Sequence, residues 1–188
     1  MKTSTGRAHA LWPFTLIKIS GVTMISKILK AKAQKIKLVV TDIDGVWTDA
    51  KIYYTGNGEF LKAFSYYDGM ATALLSQANI PTAIITGENS KHVAQRAKKL
   101  KIKDVFLGVQ DKLEVFEALL DKYKLQPSEV AYIGDDLNDY APMQVAGLTA
   151  APSNTPAFHI LKPDILLSRA GGDGAFREFA DLILASQQ

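Results

Sequence analysis

Leu38-Val39-Val40-Thr41-Asp42-Ile43-Asp44-Gly45-Val46 is the stretch on which the fold is decided. Its apolar first half reads as a short buried strand, and the strand delivers two carboxylates, two residues apart, at its carboxyl end. In an open parallel sheet that end opens into the ligand crevice. Gly45 lets the chain turn sharply enough to aim both side chains there, where a carboxylate can act as a nucleophile. A short Asp-x-Asp-Gly string can also mark an ordinary turn, so the reading depends on the polar residues further along the chain. Thr82-Ala83-Ile84-Ile85 leads into Thr86-Gly87, Lys112 opens a helical pattern, and Val130-Ala131-Tyr132-Ile133 leads into Gly134-Asp135-Asp136-Leu137-Asn138-Asp139.

Four polar elements, each placed after its own apolar run, make a specific order, and over residues 37–179 the chain resembles the haloacid dehalogenase superfamily. Asp42-Ile43-Asp44-Gly45-Val46-Trp47-Thr48-Asp49, the Lys62 segment before Asp68-Gly69, and Gly171-Gly172-Asp173-Gly174-Ala175-Phe176-Arg177-Glu178 look like its small, capless phosphatases of 3-deoxy-ulosonic acid phosphates. One branch of these acts on 3-deoxy-manno-octulosonate 8-phosphate in lipopolysaccharide synthesis, a sister branch on nine-carbon nonulosonate 9-phosphates. The resemblance implies Mg2+ held by the Asp42 carboxylate, the Asp44 backbone carbonyl and the Asp135 carboxylate, with Asp136 and Asp139 behind them. It makes Asp42 the nucleophile and Asp44 the acid and base, with Thr86, the Gly87 amide and Lys112 on the phosphoryl oxygens. A homotetramer is implied, with the flap and the glycine-rich segment reaching neighbouring sites; Lys62, Asp68, Arg177 and Glu178 then become substrate contacts.

Plainer readings stand beside these. An acidic cluster can cap a helix, Lys112 can be a solvated helix residue, and Gly171-Gly172-Asp173-Gly174 can be a loop before the last helix. Two positions depart from the octulosonate branch, which carries arginine where this chain has Glu88 and Tyr67. Glu88, with Lys99 one helix further on, looks more like the nine-carbon branch, although Lys99 also suits a solvent-facing place in its lysine-rich run. Trp47, Tyr53, Tyr54, Tyr66 and Tyr67 suit sugar stacking, core or a subunit interface. His9, His92 and His159 are too scattered for a metal cluster.

The 188 residues, 47% hydrophobic, are enough for one substantial core. A net charge of +3, with basic and acidic residues interspersed, gives no electrostatic case for nucleic acid. The absence of cysteine excludes disulfides and thiolate metal sites and fits a cytoplasmic enzyme. Residues 1–23 read as a disordered tail or extended start, since Pro13 and Lys18 interrupt the apolar stretch that a signal peptide needs. Residues 24–36 read as an amphipathic lead-in helix, and 37–188 as one phosphatase domain with no run long enough to span a bilayer.

Within that domain, Lys51–Tyr54 and Glu59–Phe64 flank the turn-rich Thr55-Gly56-Asn57-Gly58 and predict a hairpin flap. Strands and helices then alternate to the end, which predicts an α/β doubly wound parallel sheet without a cap domain. An aspartate phosphoacceptor of the receiver type also combines Asp, Thr and Lys. It would place its acidic pair after the first strand and its acceptor on a later one, the reverse of the order here.

Overall fold

The computed structural model describes residues 26–188 and the short backbone pairing of Lys18–Ile19 (β1) with Val22–Thr23 (β2). The reading of residues 1–23 as a tail or extended start falls, apart from those four residues, outside the described residues. Helix α1, Lys27–Ala33, falls inside the expected lead-in helix; the Ser26 side chain accepts from the Leu29 amide at its start, and Leu29 and Ala33 turn inward.

Six parallel strands form the sheet: β3 (Leu38–Thr41), β6 (Thr82–Ile85), β7 (Asp104–Phe106), β8 (Val130–Ile133), β9 (Leu148–Ala151) and β10 (Ile165–Leu166), in the order β10-β9-β8-β3-β6-β7. The chain leaves β3 for β6 and β7 on one side, then returns to β8 on the other. The carboxyl end of β3 therefore lies at the switch point where open α/β sheets bind ligands. Both faces are covered, as a parallel sheet requires. Val39, Ala131, Ile133 and Ile84 face one core with α1, α2 (Tyr66–Gln77), α3 (Lys91–Lys99) and α7 (Ala175–Ser186). Leu38, Val40, Tyr132 and Ile85 face the other, against α4 (Lys112–Tyr123), α5 (Tyr140–Val145) and α6 (Phe158–Leu161).

Local chemistry sets the helix ends. Ser65 caps α2 through the Tyr67 amide, Asp111 caps α4 through the Leu113 and Glu114 amides, and Lys124 ends α4 in the left-handed region at φ 55°. The stretch after Asp136 is split into a 3-10 turn at Leu137–Asp139 and α5. The split lets Asp136 and Asp139 cap the turn instead of continuing a helix. The expected flap is present as the antiparallel hairpin β4 (Tyr53–Thr55) and β5 (Gly58–Leu61).

Trp47 and Phe176 stack at 4.8 Å, both fully buried, and tie the loop after β3 to α7. The Trp47 indole also donates to the Thr41 hydroxyl, at 2.9 Å. Phe176→Ala removes this packing and should cost about 3–5 kcal/mol in urea unfolding; a loss under 1 kcal/mol would show that α7 does not anchor the loop.

Candidate active site

At the carboxyl ends of β3, β6 and β8, a cavity of about 490 Å³ is lined by Asp42, Asp44, Ala50, Thr86, Gly87, Glu88, Asp135, Asp136, Leu137 and Asn138. Residues from three separate stretches of the sequence meet there. Gly45, at φ 86°, is required for the meeting: a Cβ at that position would stand 1.8 Å from Asp135 Oδ2. A Cβ at Gly134 would likewise stand 2.3 Å from Asp139 Cγ.

Lys112 is buried between two of the acids, its Nζ 3.1 Å from Asp42 Oδ2 and 2.7 Å from Asp139 Oδ1. Burial alone would push this ammonium down, but the Asp42 and Asp139 charges outweigh it and hold it above its ordinary value. Asp139 is fully satisfied. It accepts from Lys112, from the Tyr132 hydroxyl at 2.8 Å, and from the Asp135 and Asp136 amides at 3.0 and 3.3 Å. Asp42 differs, because its Oδ1 is buried with no hydrogen-bond partner. Burial, then the Asp139 charge, raises Asp42 to about 7; burial, then the Asp42 charge, raises Asp135 to about 8.

These observations fit a divalent cation. Carboxylate oxygens of Asp42, Asp135 and Asp139 lie within 4.8 Å of one another, and oxygen donors suit a hard ion. Because Asp139 is already committed to four donors, Asp42 and Asp135 are the side chains left to hold it, while Asp139 fixes Lys112 and the Asp135 loop. Asp136, expected behind the metal ligands, lies on the cavity wall, where its charge also acts on Asp135. Its carboxylate faces solvent and accepts from the Leu137 amide as a turn cap.

Asp44, half-buried, lines the cavity, and both of its oxygens accept from Lys62 Nζ at 2.6 Å. Within one chain Lys62, expected as a substrate contact, meets Asp44. Thr86 is buried beneath the cavity and Gly87 and Glu88 line it, as expected of their position after β6. Lys99 is not brought in; it is exposed in the last turn of α3. Asp68 is also elsewhere, completely buried and accepting from the Arg177 amide at 2.9 Å, so it joins α2 to the start of α7. Arg177 pairs with Asp181 at 2.8 Å, and Glu178 accepts from the Ser168 and Arg169 amides. Within one chain the contacts of these three join α2 and the Ser168-Arg169 stretch to α7.

Sequence reading missed a second tier of residues. Thr48 accepts from the Gly45 amide and donates to Asp44 Oδ1, both at 3.3 Å; its place four residues after Asp44 was the available signal. Asn154 accepts from the Gly171 amide at 2.9 Å, Thr155 donates to the Asp135 carbonyl, and the Gly172 amide donates to the Val46 carbonyl at 3.0 Å. A Cβ on Gly171 would fall 1.8 Å from the Gly45 carbonyl oxygen. The glycine-rich segment therefore braces the Asp42 loop of its own chain. No spacing announced Asn154 or Thr155. A second hollow, about 560 Å³ at the amino ends of β6 and β7, has its buried Asp104 already held by Lys122 and Tyr123.

Comparison with known proteins agrees with this geometry. The class is that of the haloacid dehalogenase-like hydrolases, whose sequence model matches residues 56–147. A 3-deoxy-D-manno-octulosonate 8-phosphate phosphatase of Escherichia coli is 40% identical over 163 residues, 87% of each chain. The Moraxella catarrhalis phosphatase of that name, solved with magnesium, phosphate and KDO, is 37% identical with TM-score 0.82, covering 87% of this chain and 94% of its own. A cobalt-bound phosphatase of Haemophilus influenzae is also 37% identical with TM-score 0.80, covering 83% of this chain and 91% of its own. This chain belongs to the family of 3-deoxy-D-manno-octulosonate 8-phosphate phosphatases within those hydrolases.

The raised carboxyls set a pH test. An unfolded aspartate releases its proton near its ordinary value of 3.8, whereas burial and neighbouring carboxylates make folded Asp42 and Asp135 hold theirs to about 7 and about 8. Between those limits the cation-free fold binds more protons than the unfolded chain, so its stability falls as pH rises. In EDTA the melting temperature should drop from pH 6 to pH 8.5, and excess divalent cation should abolish the drop; a rise in EDTA over this window would contradict the assignment.

Proposed function

We propose that this chain is a magnesium-dependent phosphatase that removes the terminal phosphate of 3-deoxy-D-manno-octulosonate 8-phosphate through an aspartyl-phosphate intermediate. The observation that carries the reading is the unpartnered, buried Asp42 oxygen beside Lys112, with Asp44 two residues on facing the same cavity. Relatives bearing this substrate's name at 40% identity support the substrate, and the magnesium in the Moraxella structure supports the ion.

Asp42, Asp135 and the Asp44 carbonyl would hold magnesium, which supplies the positive charge that lets an anionic nucleophile meet an anionic ester. Asp42 attacks phosphorus, the ester P–O bond breaks, and Asp44 gives its proton to the departing sugar oxygen. Asp44 then takes a proton from the water that attacks the phosphorus of the aspartyl-phosphate, which frees phosphate and restores Asp42. Thr86, the Gly87 amide and Lys112 bind the phosphoryl oxygens, where charge accumulates.

The cavity is open, so the sugar needs a further cover. Tyr53, Tyr54, Phe60 and Leu61 on the flap and Tyr66, Tyr67 and Met70 on α2 expose large apolar surfaces, which supports burial between subunits of a homotetramer. Arg177 and Glu178 would then face a neighbour's substrate. Light scattering at micromolar concentration should give four chains; a monomer would remove this cover. Among the described residues no helix is long and apolar enough to cross a membrane, and the cysteine-free composition supports a cytoplasmic reaction. Glu88 on the cavity wall favours a second reading, a nine-carbon nonulosonate 9-phosphate, because a carboxylate accepts from hydroxyl or amide groups.

Asp44→Asn should lower kcat for phosphate release from the eight-carbon ester by about 10²–10⁴-fold, the usual worth of a positioned acid, with the circular dichroism spectrum unchanged. Activity within threefold of the parent would exclude Asp44 as acid.

A further inference from the structure

Lys62 is the residue that the reaction scheme leaves unused. Its side chain has no exposed surface, an expensive place for an ammonium unless its charge is matched. The match is Asp44, both of whose oxygens it contacts at 2.6 Å, and Glu59 lies on its other side at 3.7 Å. Glu59 is anchored in turn: Ser90 donates to its Oε1 at 2.6 Å, and His92 Nε2 stands 3.7 Å away. Ser90 occupies the cap position of α3 yet makes no side-chain cap, although such a cap is worth about 1 kcal/mol. Its hydroxyl goes to the flap carboxylate instead. The flap end is thus fastened at two points, to α3 through Glu59 and to the Asp42 loop through Lys62, and the second fastening is made on the acid itself.

We propose that Lys62 is a positioning residue that holds the Asp44 carboxyl toward the leaving-group oxygen, so that seating of the flap and the acid–base step are coupled. An aspartate on a loop has several side-chain rotamers. With one oxygen kept on Lys62 and the other given up to the arriving ester oxygen, Asp44 is left one productive orientation. The ammonium also meets the negative charge that grows on Asp44 as its proton leaves. A flap that is not seated leaves Asp44 unheld, whichever alkyl ester occupies the site. The inference rests on the acid role given to Asp44 above.

Three esters separate this role from its competitors. A sugar-acid phosphate and glycerol 1-phosphate both have alkoxide leaving groups that need a proton, but only the first carries a carboxylate on its leaving group. p-Nitrophenyl phosphate releases a stable phenolate that needs little protonation. Lys62→Met should lower kcat on both alkyl esters by 30- to 100-fold, and on the aryl ester by less than fivefold. Lys62→Cys should behave alike, and aminoethylation, specific because the chain has no other cysteine, should restore the alkyl-to-aryl ratio to within threefold of the parent.

Equal losses on all three esters would overturn the proposal and leave Lys62 a structural residue. A rise in KM confined to the carboxylate-bearing ester would overturn it in favour of direct substrate contact. If the parent enzyme fails on the sugar-acid ester, the substrate assignment falls, while the ratio between the other two esters still reads Lys62.

Discussion

The structure depends on keeping three buried aspartates together at the floor of an open crevice. Asp42, Asp135 and Asp139 present oxygens within 4.8 Å of one another, and like charges that close cannot all ionise without compensation. Lys112 supplies part of it from between Asp42 and Asp139. Tyr132 and two backbone amides quiet Asp139. What remains uncompensated, the free oxygen of Asp42 and the raised Asp135, is a demand for positive charge. The same crowding explains the glycines at 45, 134 and 171, where a methyl group would strike the Asp135 side chain, the Asp139 side chain and the Gly45 backbone of the Asp42 loop.

The sheet, its switch point and the first tier of the site were legible because they arise from local patterns. Buried parallel strands read as short apolar runs, and the polar residues that matter sit immediately after them. Asp42, Asp44, Thr86 and Asp135 are all of this kind, and Lys112 opens the helix after β7. The second tier was not legible. Asn154 and Thr155 act through Gly171 and the Asp135 carbonyl, contacts made by loops distant in sequence from what they brace. The contact of Asp68 was hidden for a related reason: it accepts from the Arg177 amide, more than a hundred residues further along the chain.

The flap shows why long-range charge pairing resists sequence reading. Lys62 is eighteen residues from Asp44, and nothing in the hairpin's alternation says that its terminal lysine turns inward. Once turned, it joins the exposed hairpin to Asp44, the acid of the proposed reaction. On the proposed mechanism this contact links substrate cover to the chemistry.

The most direct test is phosphate release with magnesium from 3-deoxy-D-manno-octulosonate 8-phosphate and from a nonulosonate 9-phosphate in parallel, compared as kcat/KM. An eight-carbon phosphatase should prefer its own ester by tenfold or more, about 1.4 kcal/mol at the transition state, with Glu88 a tolerated variation. A tenfold preference for the nine-carbon ester would contradict that assignment and make Glu88 the residue that selects the substrate.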